Sequence, residues 1–162
     1  MINYLKLNDL AIKASDKDFY DCIVSLPWYG AVVDVYVYFE KDEGISVPTP
    51  KQLQAFKELL DEAPKIFRKL EEQLFHYYQE QREENKYEDY YKEFFPEISS
   101  PKELEKYMYL RSIKVSYYDD DWSKFIGFII DCDWDKQLGV GVMLIKNRVR
   151  ELAHKTLFYN KF

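Results

Sequence analysis

Apolar and polar residues alternate with a period of two near the carboxyl terminus. Between Phe125 and Trp134 every second position is apolar: Ile126, Phe128, Ile130, Cys132 and Trp134. Only an extended strand places alternate side chains on one face, so this stretch predicts a strand. Polar residues and Gly139 then predict a turn into a strand over Val140–Ile145. With strands over Arg111–Tyr118 and Val149–Thr156, the pattern predicts an antiparallel meander.

A second pair of strands is predicted earlier in the chain. Phe19–Leu26 and Ala31–Phe39 are both rich in β-branched and aromatic residues, and Pro27-Trp28-Tyr29-Gly30 joins them. We expect this connection to be a turn at the surface of the protein.

The middle of the chain has the period of a helix. Thr49 is a good N-cap, and Pro50 at the first helical position loses no hydrogen bond. Apolar residues then recur at spacings of three and four: Leu53, Phe56, Leu60, Ala63, Phe67, Leu70, Leu74 and Tyr77. Pro64 interrupts this stripe, so we expect a kink or break near Asp61–Ala63, with both halves on the same face of the sheet.

These elements predict a single α+β domain over residues 1–162. The helices lie together in the middle of the chain rather than alternating with strands, which favours α+β over α/β. We expect a twisted antiparallel sheet with a C-terminal meander and a long kinked central helix, from 50 to about 82, packed on one face. A short aromatic segment, Tyr87–Phe95, predicts a further helix that contributes to packing and stops at Pro96.

The composition restricts the class of protein. Aromatic residues make up 18% of the 162 residues, with 15 Tyr and 11 Phe, so we expect some rings at the surface or at an interface. No signal peptide is indicated at the amino terminus, and no apolar run is long enough for a membrane helix. Cys22 and Cys132 lie in apolar runs, which favours reduced, buried thiols in the cytoplasm and leaves a bridge conceivable if their strands are neighbours.

The negative charge is concentrated in one segment. The net charge is −6, and residues 71–100 contain nine acidic and three basic residues, so they account for all of it. Nucleic-acid binding requires a basic surface, so this class of partner is excluded. A basic protein is the natural electrostatic complement, while a solvated helix face is the simpler explanation.

The chain carries no recognisable catalytic signature and predicts no cofactor. Its strongest chemical candidate is a group of carboxylates, Asp131-x-Asp133-x-Asp135, which we expect on one strand face. The positions of a calcium loop that require Gly and Glu hold Lys136 and Val142 instead. With Asp119 and Asp121 on an adjacent hairpin, Asp131 and Asp133 are the candidates for a metal or catalytic site; a solvated acidic rim is the alternative.

One motif resembles a known family. The nine residues from Trp134 to Val142 resemble the W-D-x-E-H-G-x-G-V turn of a group of bacterial domains of unknown function. The Gly127-Phe128 strand and the Pro27-Trp28-Tyr29 turn are similar too, over about residues 20–160. Gln137 and Leu138 replace the Glu and His of the pattern. Such relatives are often associated with toxin–immunity loci, which implies an inhibitor that acts by binding a protein.

The leading hypothesis is a cytoplasmic protein-interaction module, and more specifically an immunity protein that neutralises a basic toxin. Its predicted docking surface combines two rings with four acids: Trp28, Tyr29, Glu83, Glu84, Glu88 and Asp89. The alternatives are a small metal-dependent hydrolase that uses the Asp cluster, and a purely structural domain. The sequence specifies no oligomeric state.

Overall fold

The computed structural model describes residues 13–14, 19–41, 48–116 and 126–154. Seven strands form one sheet: β1 (Lys13–Ala14), β2 (Phe19–Trp28), β3 (Ala31–Glu40), β4 (Met108–Val115), β5 (Ile126–Cys132), β6 (Asp135–Ile145) and β7 (Arg148–Ala153). The helices are α1 (Pro50–Glu84) and the single turn α2 (Tyr91–Phe94), followed by a short 3₁₀ helix, Pro101–Lys106.

The strands lie in the sheet in their order along the chain, and the carboxyl-terminal part is the predicted antiparallel meander. One neighbouring pair differs from the expected antiparallel arrangement: β3 and β4 are parallel, with Val37 opposite Ile113. A parallel pair requires a long connection that returns the chain to the same end of the sheet, and α1 lies in that connection. The sheet is therefore mixed, and the α+β class is confirmed.

The long helix begins at the predicted cap. The Thr49 hydroxyl accepts a hydrogen bond from the Gln52 backbone N–H, while the Gln52 side chain accepts one from the Thr49 N–H, which is a capping box. The helix is uninterrupted from Pro50 to Glu84, so the alternative of a break before Pro64 is wrong. Its buried positions include most of the predicted stripe: Phe56, Leu60, Ala63, Phe67, Leu70 and Leu74.

The stripe of α1 packs on one face of the sheet, as predicted. Phe67 stacks on Phe128 of β5 at 5.3 Å, and Phe56 meets Phe39 of β3 edge to face at 5.5 Å. The opposite face of β2 and β3 carries Ile23 and Tyr36, each about half exposed. This difference follows from the alternation along each strand.

Two hairpins close through two-residue loops in the left-handed region. Tyr29 and Gly30 have φ values of 52° and 85°, and Lys146 and Asn147 have values of 53° and 62°. Positive φ at both central residues is typical of type I′ turns, whose twist matches the twist of the flanking strands. The turn between β2 and β3 is thus shorter than the predicted Pro27–Gly30 connection, and β2 extends through Trp28.

The hairpin of β5 and β6 differs from the prediction. Its loop is Asp133–Trp134, because Cys132 pairs with Asp135 and strand β6 begins there. Residues 136–139, predicted as the turn, lie in an irregular part of β6 that ends at Gly139 with a φ of 51°. Such a bulge places extra residues in one strand, and glycine adopts the left-handed conformation without a steric penalty.

The two cysteines are free and buried. Cys22 lies on β2 and Cys132 on β5, and two strands separate them in the sheet. A bridge between neighbouring strands is therefore excluded. Burial raises the pKa of Cys22 to about 11 and that of Cys132 to about 12, so both thiols are protonated at neutral pH.

Candidate functional site

A groove lies between the carboxyl-terminal end of α1 and the loop of the β5–β6 hairpin. Its volume is about 690 Å³, within the usual range for ligand sites. We call it the acidic groove; its lining residues are Gln81, Glu84, Asn85, Tyr90, Phe94, Phe95, Asp133, Trp134, Asp135, Lys136, Gln137 and His154.

One wall of the acidic groove is the segment that follows α1, and the helix holds it in place. The Tyr78 hydroxyl donates to the Pro96 carbonyl, and the Gln79 amide donates to the Ile98 carbonyl at 3.2 Å. Arg82 Nε donates to the Phe95 carbonyl at 3.2 Å, and its guanidinium lies 4.9 Å from the Tyr91 ring. These side chains satisfy backbone carbonyls of the irregular segment after α2, so this wall has a defined position.

The same wall presents two aromatic rings to the groove. Tyr90 and Phe94 are each 42% exposed, and their rings meet edge to face at 6.0 Å. The Tyr90 hydroxyl donates to Asn85 Oδ1 at 3.0 Å, while the Asn85 amide donates to the Gln81 carbonyl at 2.7 Å. These bonds fix the Tyr90 ring against the end of α1.

The hairpin loop forms the opposite wall. The Asp133 backbone N–H donates to the Tyr107 carbonyl at 2.9 Å, and Asp135 Oδ1 accepts the Leu138 N–H at 3.0 Å. Between them, Trp134 is buried at the floor of the groove, and its ring lies 4.8 Å from that of Tyr78. Burial raises the pKa of Tyr78 to about 12, so the phenol stays a hydrogen-bond donor across the physiological range.

The electrostatics of the groove are unbalanced. Glu84 and the two aspartates Asp133 and Asp135 face Lys136 and a half-buried His154. Within the described ranges, none of these three carboxylates forms an ion pair. A positively charged group that entered the groove would therefore meet carboxylates without an ion-pair partner among the described residues.

The four acids of the predicted docking surface are all exposed on the segment beside the groove. Glu84 lines the groove itself, and Glu83, on the last turn of the helix, pairs with Lys86 just beyond its end. Glu88 and Asp89 lie in the connection to α2.

The expectation that Trp28 and Tyr29 lie at the surface is wrong, because both rings are only 4% exposed. Trp28 Nε1 donates to the Met108 carbonyl at 3.1 Å, and its ring meets Phe67 edge to face at 6.2 Å. Tyr29 packs on Trp28 with ring centroids 5.0 Å apart. The two rings belong to the core, so the predicted combination with the acids does not form a surface.

Of the four candidates for the predicted metal site, the structure describes Asp131, on β5, and Asp133, in the hairpin loop. Asp131 Oδ2 accepts a hydrogen bond from Arg111 Nε at 2.7 Å, whereas Asp133 lies in the hairpin loop and Asp135 on β6. The prediction from alternation that these three aspartates share one strand face is therefore wrong. Asp119 and Asp121 lie outside the described residues. Within the part of the chain that the structure describes, no group of three His, Cys, Asp or Glu side chains is placed to hold a metal ion.

Sequence reasoning missed the aromatic part of the groove. Tyr90 and Phe94 were assigned to packing because aromatic residues at helical spacing are usually buried, and Phe95 of the same run is indeed buried. The remaining signal was the number of aromatic residues between acids in this segment. His154 and Lys136 carry no local signal, since only the fold brings them to the groove.

The fold and the groove define an α+β domain whose candidate site is a surface groove. The model of the family DUF6985, a domain of unknown function, matches residues 11–157, and the chain belongs to this family. Comparisons with curated proteins and with solved structures found no match. In the described residues, no helix combines the length and the apolar character that crossing a membrane requires.

Proposed function

We propose that this protein is a cytoplasmic interaction module that binds a basic protein partner at the acidic groove. The observation that carries the proposal is the set of three groove carboxylates, Glu84, Asp133 and Asp135, that lack ion pairs among the described residues. Charge of one sign in a concave surface raises the rate at which an oppositely charged partner associates.

The aromatic rings of the groove support the same function. Interfaces are enriched in aromatic residues, and partly exposed rings are available for contact with a partner. Tyr90 and Phe94 are partly exposed on the wall. Rings beside carboxylates suit a partner with Lys or Arg side chains, through cation–π contacts and charge pairing.

We further propose that the partner is a toxin and that this protein is its immunity protein. The support is the resemblance of the Trp134–Val142 motif to domains associated with toxin–immunity loci. The motif contributes Trp134, Asp135 and Gln137 to the groove lining, so the part of the chain that resembles those domains lies at the candidate site.

The test begins with affinity capture from the native cell and identification of the bound protein. Its association rate is then measured with a variant of the acidic segment in which Glu83, Glu84, Glu88 and Asp89 become Gln or Asn. We expect the association rate at low salt to fall by about tenfold or more, because electrostatic steering contributes factors of about 10 to 1,000. The melting temperature should stay nearly unchanged, because exposed ion pairs contribute little stability.

A matched control removes four acids from α1 at positions outside the groove lining. Glu58, Asp61, Glu62 and Glu72 are all exposed on α1, so their replacement changes the net charge equally. We expect this control variant to associate at nearly the wild-type rate. Equal rates for the two variants would contradict the proposal, because the effect would then come from net charge rather than from the groove.

A further inference from the structure

We infer that the acidic groove receives an arginine side chain of its partner and discriminates against lysine. The inference rests on the proposed function and specifies the chemical group that enters the site. It follows from three features of the groove: the apolar floor, the exposed ring pair, and the separation of the carboxylates between two walls.

The floor determines which cation can enter at low cost. Trp134 is 8% exposed and Phe95 is 4% exposed, so a group that reaches the floor loses much of its water. A guanidinium is more weakly hydrated than an ammonium and stacks on aromatic faces. The desolvation cost at this floor is therefore lower for arginine than for lysine.

No Lys or Arg side chain of the described residues lies over the two rings above the floor. Elsewhere in the described residues, four aromatic rings carry a Lys or Arg side chain, whereas the rings of Tyr90 and Phe94 carry none. Both rings are exposed enough to accept a planar group from the partner. A guanidinium over such a ring gains a cation–π contribution that increases as the cation loses water.

The groove carboxylates are divided between its two walls. Glu84 ends α1 on one wall, and Asp135 begins β6 on the other, with Asp133 in the loop beside it. A guanidinium has five N–H donors in a rigid planar fork, so it can bond to carboxylates on either side while it stacks. An ammonium is a compact point charge and lacks this planar geometry.

The protein itself shows this mode of recognition beside the groove. The Arg111 guanidinium lies 5.5 Å from the Tyr109 ring while its Nε donates to Asp131 at 2.7 Å. The Tyr109 hydroxyl in turn lies 3.3 Å from Asp133 Oδ2. One arginine next to the proposed site thus contacts an aromatic ring and a carboxylate at the same time.

Fluorescently labelled nona-arginine and nona-lysine peptides provide the test, because they carry equal charge and differ in the cationic group. Their dissociation constants are measured by fluorescence anisotropy with the full chain at fixed ionic strength. We expect nona-arginine to bind about tenfold more tightly, which corresponds to a difference of about 1.4 kcal/mol in binding free energy.

Two variants separate the rings from the charges. Tyr90→Leu with Phe94→Leu removes the ring pair and should bring nona-arginine to the affinity of nona-lysine, while Tyr87→Leu, an exposed ring outside the lining, should keep the preference. Glu84→Gln with Asp135→Asn should weaken both peptides. Circular dichroism and the melting temperature confirm that each variant is folded.

The outcomes separate the arginine assignment from the proposed function. Equal affinity for the two peptides, a preference that survives the loss of both rings, or no binding of either peptide would overturn the arginine assignment. If the two peptides bind with equal affinity and both bind more weakly to the Glu84→Gln/Asp135→Asn variant, the arginine assignment is overturned but a basic partner at this groove is supported. The proposed function itself is tested separately, by the association rates with the captured partner.

Discussion

At the scale of single residues, the side chain of Trp28 shows how context decides between surface and core. Its neighbours Pro27 and Gly30 indicate a turn, yet Trp28 is the last residue of β2 and shares the core face with Leu26 and Val24. The indole also supplies a hydrogen bond to a buried backbone carbonyl, that of Met108. A large ring next to a turn is therefore a structural anchor here.

We expect Trp28→Phe to destabilise the protein by about 2–4 kcal/mol, from the lost hydrogen bond and the smaller ring in a packed core. The measurement is chemical denaturation of both proteins. Tyr87→Phe is the matched control and should change the free energy of unfolding by less than about 0.5 kcal/mol, since Tyr87 is exposed. A stable Trp28→Phe protein would contradict the assignment of this ring to the core.

At the scale of elements, α1 shows that tertiary packing can override a local penalty. Pro64 has no backbone N–H, so the Leu60 carbonyl lacks its intrahelical donor, yet the helix continues for 20 further residues. The apolar stripe keeps its phase on both sides of Pro64, and Phe56 and Phe67 on either side both pack on the sheet. Burial of the stripe on both sides of Pro64 stabilises one continuous helix against the sheet.

Pro64→Ala should therefore raise the free energy of unfolding, by about 1–3 kcal/mol, because an exposed alanine restores the donor and relieves the clash. Pro50→Ala is the control: Pro50 occupies the first helical position, where proline is favourable, so no gain is expected there. Thermal and urea denaturation measure both changes. An unchanged or lower stability of Pro64→Ala would show that the fold requires proline at this position.

At the scale of the whole molecule, stability depends on pH through groups that the fold desolvates. Lys114 is half-buried on β4, and burial lowers its pKa to about 8, although Glu40 opposes this shift. Between this value and the ordinary lysine pKa of 10.5, the unfolded chain binds more protons than the folded one. Lys114 therefore contributes stability that increases as pH rises through this interval.

Lys114→Met isolates this contribution, because other groups that titrate at alkaline pH are common to both proteins and cancel in the difference. We expect the variant to be more stable than the wild type at pH 7. This difference in the free energy of unfolding should shrink by about 1 kcal/mol towards pH 10. The change is smaller than the full pKa shift implies, because solvent screens a half-buried ammonium. Denaturation at several pH values provides the measurement. A constant difference between the two proteins would refute the pKa assignment.

The elements could be predicted well because their signals are local. Alternation along β2–β7 and the three-four spacing of α1 both arise from how one element meets a core, and the cap at Thr49 is a short-range hydrogen-bond pattern. The errors fell where local signals conflict. The Lys136–Gly139 stretch has the composition of a turn, but pairing of Cys132 with Asp135 places it in a bulged strand.

The sequence by itself thus determined strands β2–β7, the long helix, the position of the acidic segment and the resemblance of the hairpin motif. Only the tertiary structure decided that β3 and β4 are parallel, that Trp28 is buried and that the hairpin loop faces the end of α1. The physical reason is distance along the chain: the groove joins Glu84, Asp135 and His154, and no local periodicity specifies which distant side chains meet when a helix packs on a sheet.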